Sequence, residues 1–406
     1  MIFKLNNIEY KVLYTISIGG TGIVLALSSK DNIYPELVCK LYLNKDLKHL
    51  TFYDIKNDKS YKLLYKNNII AQVLGTQQLN NNFSYNYVYD GKKRHSIFKS
   101  KIFYYEIGGI CTFGELLNLC IYNDFKYYKQ VIDIFNIIMK KNEFLIEKLN
   151  IIHGDFYHGN VMIKNKYTLY LFNVFNKFNQ TKDKKYLNIL FNYIFENKNL
   201  NKNLNDKTLI KKYNIKTFTP IETDLDINFI DLDFMKNINK FMKFFDKYNK
   251  ANKDILNIIK LITIILINTD KLKFLFILNN YFISYFQDKG KPNETCIINF
   301  NYIKLYVLDY YKKIIHNIIN NSVILQQTNN LTLNINIIWS ISNFLNMKPQ
   351  TEQNFDKIIN FLYKKQYNDL QYILLLSNLF IEHNIINNYI SIPYTDKEIK
   401  EIFIFK

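Results

Sequence analysis

Residues 127–150, YYKQVIDIFNIIMKKNEFLIEKLN, end directly on residues 151–163, IIHGDFYHGNVMI. Apolar side chains recur at three- and four-residue spacing through the first stretch, the period of an amphipathic helix. The second stretch closes on an apolar strand-like run, Val161-Met162-Ile163. Between them lies a short polar loop with two histidines, two glycines, an aspartate and an asparagine. The loop sets Asp155 and Asn160 five positions apart, and His153 opens it. A zinc site built on His153 and His158 lacks further ligands at suitable spacing.

The chain before this join differs from the chain after it. The first hundred residues alternate short β-like runs with turns: YKVLYTISI, GIVLALS, ELVCKLYL, IIAQVLGT and KIFYYEI. One amphipathic stretch, near residues 54–65, interrupts them. After the join come an Asn/Lys-rich segment, ENKNLNKNLNDK, a strand-like INFIDLDF, and a helical pattern that continues almost unbroken. The expected class is α+β, with a small β-rich part followed by a large helical part.

Composition narrows the function. Hydrophobic residues make up 48% and aromatics 16%, which excludes a chain disordered throughout. The surplus of lysine and asparagine beside Ile, Tyr and Phe suits an AT-rich genome. The net charge of +18 is spread along the sequence, as on a solvated basic surface. No specific nucleic-acid partner is expected, while peripheral contact with anionic membranes stays open. The longest apolar run, LITIILI, falls short of a membrane span, so no transmembrane segment is expected. The four cysteines show no metal-ligand spacing and read as reduced thiols.

Four further motifs stand in a fixed order around the loop. ISIGGTGIVLAL sets Gly19, Gly20 and Gly22 between two β-like runs, with Ser17, Ile18 and Thr21 beside them. A tip without side chains can close backbone N–H groups over phosphates, and it can equally be a tight turn. Sixteen positions after Val24, LVCKLY holds Lys40 within an apolar strand that also carries Val38. Such a lysine needs a partner, or it snorkels from an edge strand. INFIDLDF ends in Asp231-Leu232-Asp233. Asp254 opens the apolar run DILNIIKLITIIL, and it is also an ordinary acidic helix start.

Taken in this order, the motifs resemble a protein kinase, and more narrowly the poxvirus serine/threonine-protein kinase family needed for virion assembly. The resemblance covers the whole chain and implies one bilobal domain, with an N-lobe over 1–107 and a C-lobe over 108–406. It implies ATP and Mg2+ (or Mn2+) as cofactors, viral membrane or virion proteins as substrates, and a place in the virion and host cytoplasm. An entomopoxvirus origin would account for the composition. HGDFYHGN has the kinase form His-x-Asp-x-x-x-x-Asn. Asp155 would therefore accept the proton of the attacking hydroxyl, Asn160 would hold the metal, and His153 would anchor the loop. Lys40 would bind the α- and β-phosphates and pair with an acid of the next helix, where Asp58 is better placed than Asp54. Val24 and Val38 would cover the purine, with Tyr105 at the back of the pocket. Glu106 and Gly108 would offer a carbonyl and an amide to the adenine edge. Asp231 would bind the metal, Asp233 would stand where the usual motif has glycine, and Asp254 would accept amides of the catalytic loop.

The chain departs from the family at several places. Tyr157 stands where serine/threonine kinases carry a lysine, so the loop also looks like that of aminoglycoside and choline kinases. A small-molecule acceptor is one alternative, and a catalytically inactive kinase-fold scaffold is another. Asp231 lies 71 positions after Asn160, which implies a low-complexity insertion near 178–213, expected to be dispensable for catalysis, although its run YLNILFNYIF is apolar enough to form a docked helix. No Ala-Pro-Glu follows Asp231, and Asp254 comes only 23 positions later.

Overall fold

Runs in which every second residue is apolar become antiparallel strands in a computed structural model of the chain. It describes residues 2–18, 22–29, 34–42, 59–78, 83–89, 92–98, 101–196, 225–231, 235–246, 253–286, 292–328 and 330–346. The architecture is mixed α/β, with an antiparallel sheet in the N-terminal part and a helical C-terminal part. Two compact units share the chain. One comprises Met1–Leu119 and Gly159–Asp233, the other Cys120–His158 and Phe234–Lys406. The expected division at 107/108 falls inside the first unit, because the chain beyond it continues into a strand that pairs with residues 162 and 163.

In the first unit the early strands are β1 (Ile2–Leu5), β2 (Ile8–Ile18), β3 (Gly22–Ser29), β4 (Leu37–Tyr42), β5 (Val73–Gln78), β6 (Phe83–Tyr89), β7 (Lys92–Phe98) and β8 (Lys101–Tyr105). Six of them form a sheet in the order β1-β2-β3-β4-β8-β5, and β6 and β7 pair separately. Side chains alternate across a strand. Ile23, Leu25, Leu27, Leu37, Cys39, Leu41, Ile102 and Tyr104 therefore share one face, where they bury themselves with Phe3 and Tyr10. The helix α1 (Lys59–Lys66) turns Tyr61 and Leu64 inward.

A second, three-stranded sheet runs β12 (Leu225–Phe229), β11 (Val161–Asn165), β9 (Cys111–Thr112). The strand β9 leads into α2 (Phe113–Cys120) through a reciprocal cap. Thr112 Oγ1 accepts from the Glu115 amide at 3.1 Å, and Glu115 Oε2 accepts from the Thr112 amide at 2.7 Å. The approach to β9 is tight. A Cβ on Gly109 would lie 2.6 Å from Met162 Cβ and 2.8 Å from the Ile163 carbonyl oxygen.

The expected insertion near 178–213 needs correction over the part that is described. Residues 168–194 form α4 (Thr168–Thr181) and α5 (Lys184–Ile194), the latter capped by Asp183, whose side chain accepts from the Lys185 amide. Phe178, Leu187, Leu190, Phe191 and Ile194 are buried, so this stretch is packed structure. Asparagine and lysine occupy its outer positions, and the run YLNILFNYIF forms the helix its apolar residues allow. Residues 197–213 lie outside the described part.

In the second unit, α3 (Tyr128–Glu147) precedes the short strand β10 (Ile151–Ile152), which pairs with β13 (Lys236–Asn237). The helices α6 (Ile238–Asp246), α7 (Lys253–Ser284), α8 (Glu294–Asn320), α9 (Val323–Gln327) and α10 (Leu331–Asn346) follow. The 32-residue α7 is apolar around most of its girth, as befits a helix packed on several sides. It lies against α3, α6, α8 and α10. Phe274 at its middle meets Phe156 at 4.8 Å and Phe135 at 6.3 Å between ring centroids. Among the described residues no helix is long and apolar enough to cross a membrane.

Leu190→Ala should lower the unfolding free energy by about 3 kcal/mol, the cost of a cavity at a fully buried leucine. Denaturant unfolding of the purified protein measures it. A dispensable surface insertion would leave the midpoint unchanged.

Candidate active site

The face of the large sheet opposite its core carries the first set of candidate residues. Register places Ser17 opposite Val24, Val24 opposite Lys40, and Lys40 opposite Phe103. It also places Ala26 opposite Val38, and Val38 opposite Tyr105. Directly opposed residues share a face, so Ser17, Val24, Val38, Lys40 and Tyr105 line one surface. Ile18 opposes Ile23 and packs against the core on the other side. The strands β2 and β3 end at Ile18 and Gly22; Gly19, Gly20 and Thr21 lie outside the described residues.

Lys40 stands on β4 in the interior of the sheet, and only 13% of its side chain is exposed. An ammonium held so far from water requires a counter-charge. Its Nζ donates to Asp231 Oδ1 at 2.7 Å. The partner expected from the next helix, Asp58, lies outside the described residues, as does Asp54. Asp231 comes two residues past the end of β12 and has φ 58, in the left-handed region that aspartate tolerates better than most side chains. The preceding amide, Ile230 N–H, donates to the Asn160 carbonyl at 3.0 Å, and Val161 pairs with Phe229. Asn160 and Asp231 therefore flank the same end of the β11–β12 pair. Asn160 is buried. Leu232 and Asp233 lie outside the described residues.

Residues beyond β8 are fixed by their neighbours. The Glu106 amide donates to the Gln72 carbonyl, and the Glu106 carboxylate accepts from the Gln72 amide at 3.0 Å. Asn228 Nδ2 donates to the Gly108 carbonyl at 2.9 Å, which orients that peptide.

The second set belongs to the second unit and is built around the 153–155 loop. The His153 amide donates to Asp270 Oδ2 at 2.7 Å and the Gly154 amide to Asp270 Oδ1 at 2.9 Å. Asn142 Nδ2 adds a bond to the same carboxylate at 3.3 Å. His153 is wholly buried, and its Nδ1 accepts from the Asp155 amide at 3.3 Å, a bond within the loop. Gly154 has φ 78, a conformation that favours glycine. Asp155 Oδ1 receives Lys273 Nζ at 2.6 Å, and the two side chains are about equally half-buried. His158 stacks near Tyr281, and burial pushes its imidazole down to about 4.

Two residues here were not among the candidates. The amides that Asp254 was expected to accept are taken by Asp270, sixteen positions further along α7. Asp254 itself stands in the first turn of that helix. The available signal was an aspartate in the middle of a long, largely apolar helix, although Asn268, Thr269 and Lys271 beside it make the position look like a polar surface. Lys273, one turn after Asp270, gave no separate signal.

Magnesium binds oxygen donors and commonly takes only one or two from protein when phosphates supply the rest. The Asp231 carboxylate and the Asn160 carboxamide have that chemistry. Among the described residues no three His, Cys, Asp or Glu side chains cluster into a self-sufficient metal site. No protein-family model matches the chain, and no curated protein matches it.

Asp270→Asn should destabilise the protein by about 3 kcal/mol, since two backbone amides lose a charged acceptor and one meets an amide nitrogen instead. Denaturant unfolding with matched slopes tests this; a change under about 0.5 kcal/mol would show that the loop does not depend on the carboxylate.

Proposed function

We propose that the protein is an ATP-dependent kinase that transfers the γ-phosphoryl group to a serine or threonine hydroxyl of a protein. The observation that carries the reading is the Lys40–Asp231 ion pair. Two residues singled out separately in the sequence, 191 positions apart, meet at 2.7 Å. The clamp on the loop around Asp155 supports the reading independently.

Phosphoryl transfer asks a protein mainly to position groups and balance charge. In this reading Gly19, Gly20 and Gly22 would offer backbone N–H groups to the phosphates, and Lys40 binds the α- and β-phosphates. Val24 and Val38 contact the purine, while the Glu106 carbonyl and the Gly108 amide meet its edge. Asp231 and Asn160 would hold Mg2+, which when bound neutralises charge on the phosphates. Asp155 accepts the proton of the acceptor hydroxyl. That oxygen forms a bond to the γ-phosphorus while the bond to the β–γ bridging oxygen breaks, and ADP leaves with the electron pair.

A second reading keeps this chemistry and changes the acceptor. Tyr157, in the place of the protein-kinase lysine, favours a small hydroxylated molecule. Labelled ATP with magnesium, offered with a basic test protein and separately with aminoglycosides and choline, distinguishes the two. Label passing only to a small acceptor would replace the first reading by the second.

Asp155→Asn should reduce transfer by two or more orders of magnitude, about 3 kcal/mol in activation free energy. The melting temperature should stay nearly constant, because Asp270 rather than Asp155 holds the loop backbone and asparagine keeps the side chain's shape. Lys40→Met should cause a comparable loss of transfer. Asp231→Ala should abolish transfer at every magnesium concentration, whereas Asp233→Ala should leave activity that added magnesium partly restores. Wild-type activity in Asp155→Asn would remove the kinase assignment.

A further inference from the structure

The loop at Asp155 is held from one side by a single turn of helix. Asp270 and Lys273 are three positions apart on α7, a spacing that puts both on the same face. Asp270 takes the amides of His153 and Gly154, and Lys273 lies 2.6 Å from Asp155 Oδ1 and 3.4 Å from the Gly154 carbonyl oxygen. The Gly154 residue is therefore gripped at its N–H by an anion and at its C=O by a cation. Two positions after Asp155 stands Tyr157, whose phenol ring carries no positive charge.

We infer that Lys273 is the positioning residue for Asp155, an ammonium supplied to the proton acceptor from a helix 118 positions further along the chain. The inference rests on the kinase reading above. About a quarter of each side chain is exposed, and Asp270 already secures the loop backbone, so holding the main chain gives this lysine little purpose. Charge does. A carboxylate working beside a triphosphate is repelled by it, and a cation on one carboxylate oxygen lessens that repulsion. The same contact fixes the direction in which the carboxylate meets the acceptor hydroxyl. With Lys273 in place, Tyr157 no longer counts against a protein acceptor, because the charge it lacks arrives from elsewhere.

A neighbouring pair supplies the control. Lys271 on the same helix binds Glu143 Oε1 at 2.8 Å and touches neither Asp155 nor its loop in any described contact. The test compares transfer of labelled phosphate from ATP by wild type, Lys273→Met, Lys273→Gln, Lys273→Arg and Lys271→Met. Binding of a fluorescent ATP analogue and melting temperature are measured for each. Lys273→Met and Lys273→Gln should lower kcat by about 50-fold or more, with KM for ATP and analogue affinity changed by less than about 3-fold. Lys273→Arg should recover most of the loss, and Lys271→Met should behave as wild type. Should one neutral variant fail to fold, the other and the arginine variant still decide. Neutral variants with wild-type kcat, no recovery with arginine, or an equal loss in Lys271→Met would each overturn the inference while leaving the kinase reading standing. A wild type that transfers no phosphate to any acceptor would overturn that reading and the inference with it.

Discussion

The Asp270 carboxylate is the contact on which the second unit's polar loop depends. It is fully buried, and a buried anion is tolerated only when hydrogen bonds replace its water. Two consecutive backbone amides and an asparagine supply them. The loop in turn needs the carboxylate, since β10 is only two residues long and Gly154 turns out of any regular pattern. Each side of the contact satisfies a need created by the other. The aromatic stack of Phe156 on Phe274 then fixes the same loop against the same helix by apolar contact. A long, nearly featureless helix thus becomes the rigid support of the polar loop around Asp155.

The first unit follows the same logic with the charges reversed. There the costly group is an ammonium, placed on an interior strand by the alternation that also buries Cys39 and Leu41. Asp231 satisfies it from just beyond the end of another strand, in a backbone conformation that few residues adopt. Neither residue would be comfortable alone. The β11–β12 pairing sets Asn160 beside Asp231 through backbone bonds, while the Lys40–Asp231 ion pair joins them to the large sheet.

What could be read from the sequence was whatever repeats on a short period or breaks one. The alternation in ELVCKLYL gave both a strand and the face on which Lys40 lies. HGDFYHGN stood out because its glycines and histidines interrupt a monotonous background. The carboxylate serving the loop was placed at Asp254, where a helix start explains an aspartate, because nothing in a sequence shows that Asp270, 116 positions after Gly154, reaches the loop. Asp270 sits in INTDKLKF, where its burial depends wholly on how α3 and α7 pack. The helix in YLNILFNYIF was legible, since Leu187, Leu190, Phe191 and Ile194 keep a helical spacing, but its packing was not, because the run leads straight into the Asn/Lys-rich ENKNLNKNLNDK.

The tight passage at Gly109 bears on descent. A methyl group there would strike both the side chain and the backbone of β11, so the position cannot drift while β9 and β11 remain paired. Gly154 is bound in the same way by its backbone angle. Surface lysines and asparagines can be exchanged freely under a shift in genome composition, and with them goes most of the resemblance by which ancestry is recognised. Two glycines 45 positions apart, fixed by geometry, would outlast that change. They form a signature that a distant cousin should still carry after its overall sequence has ceased to look related.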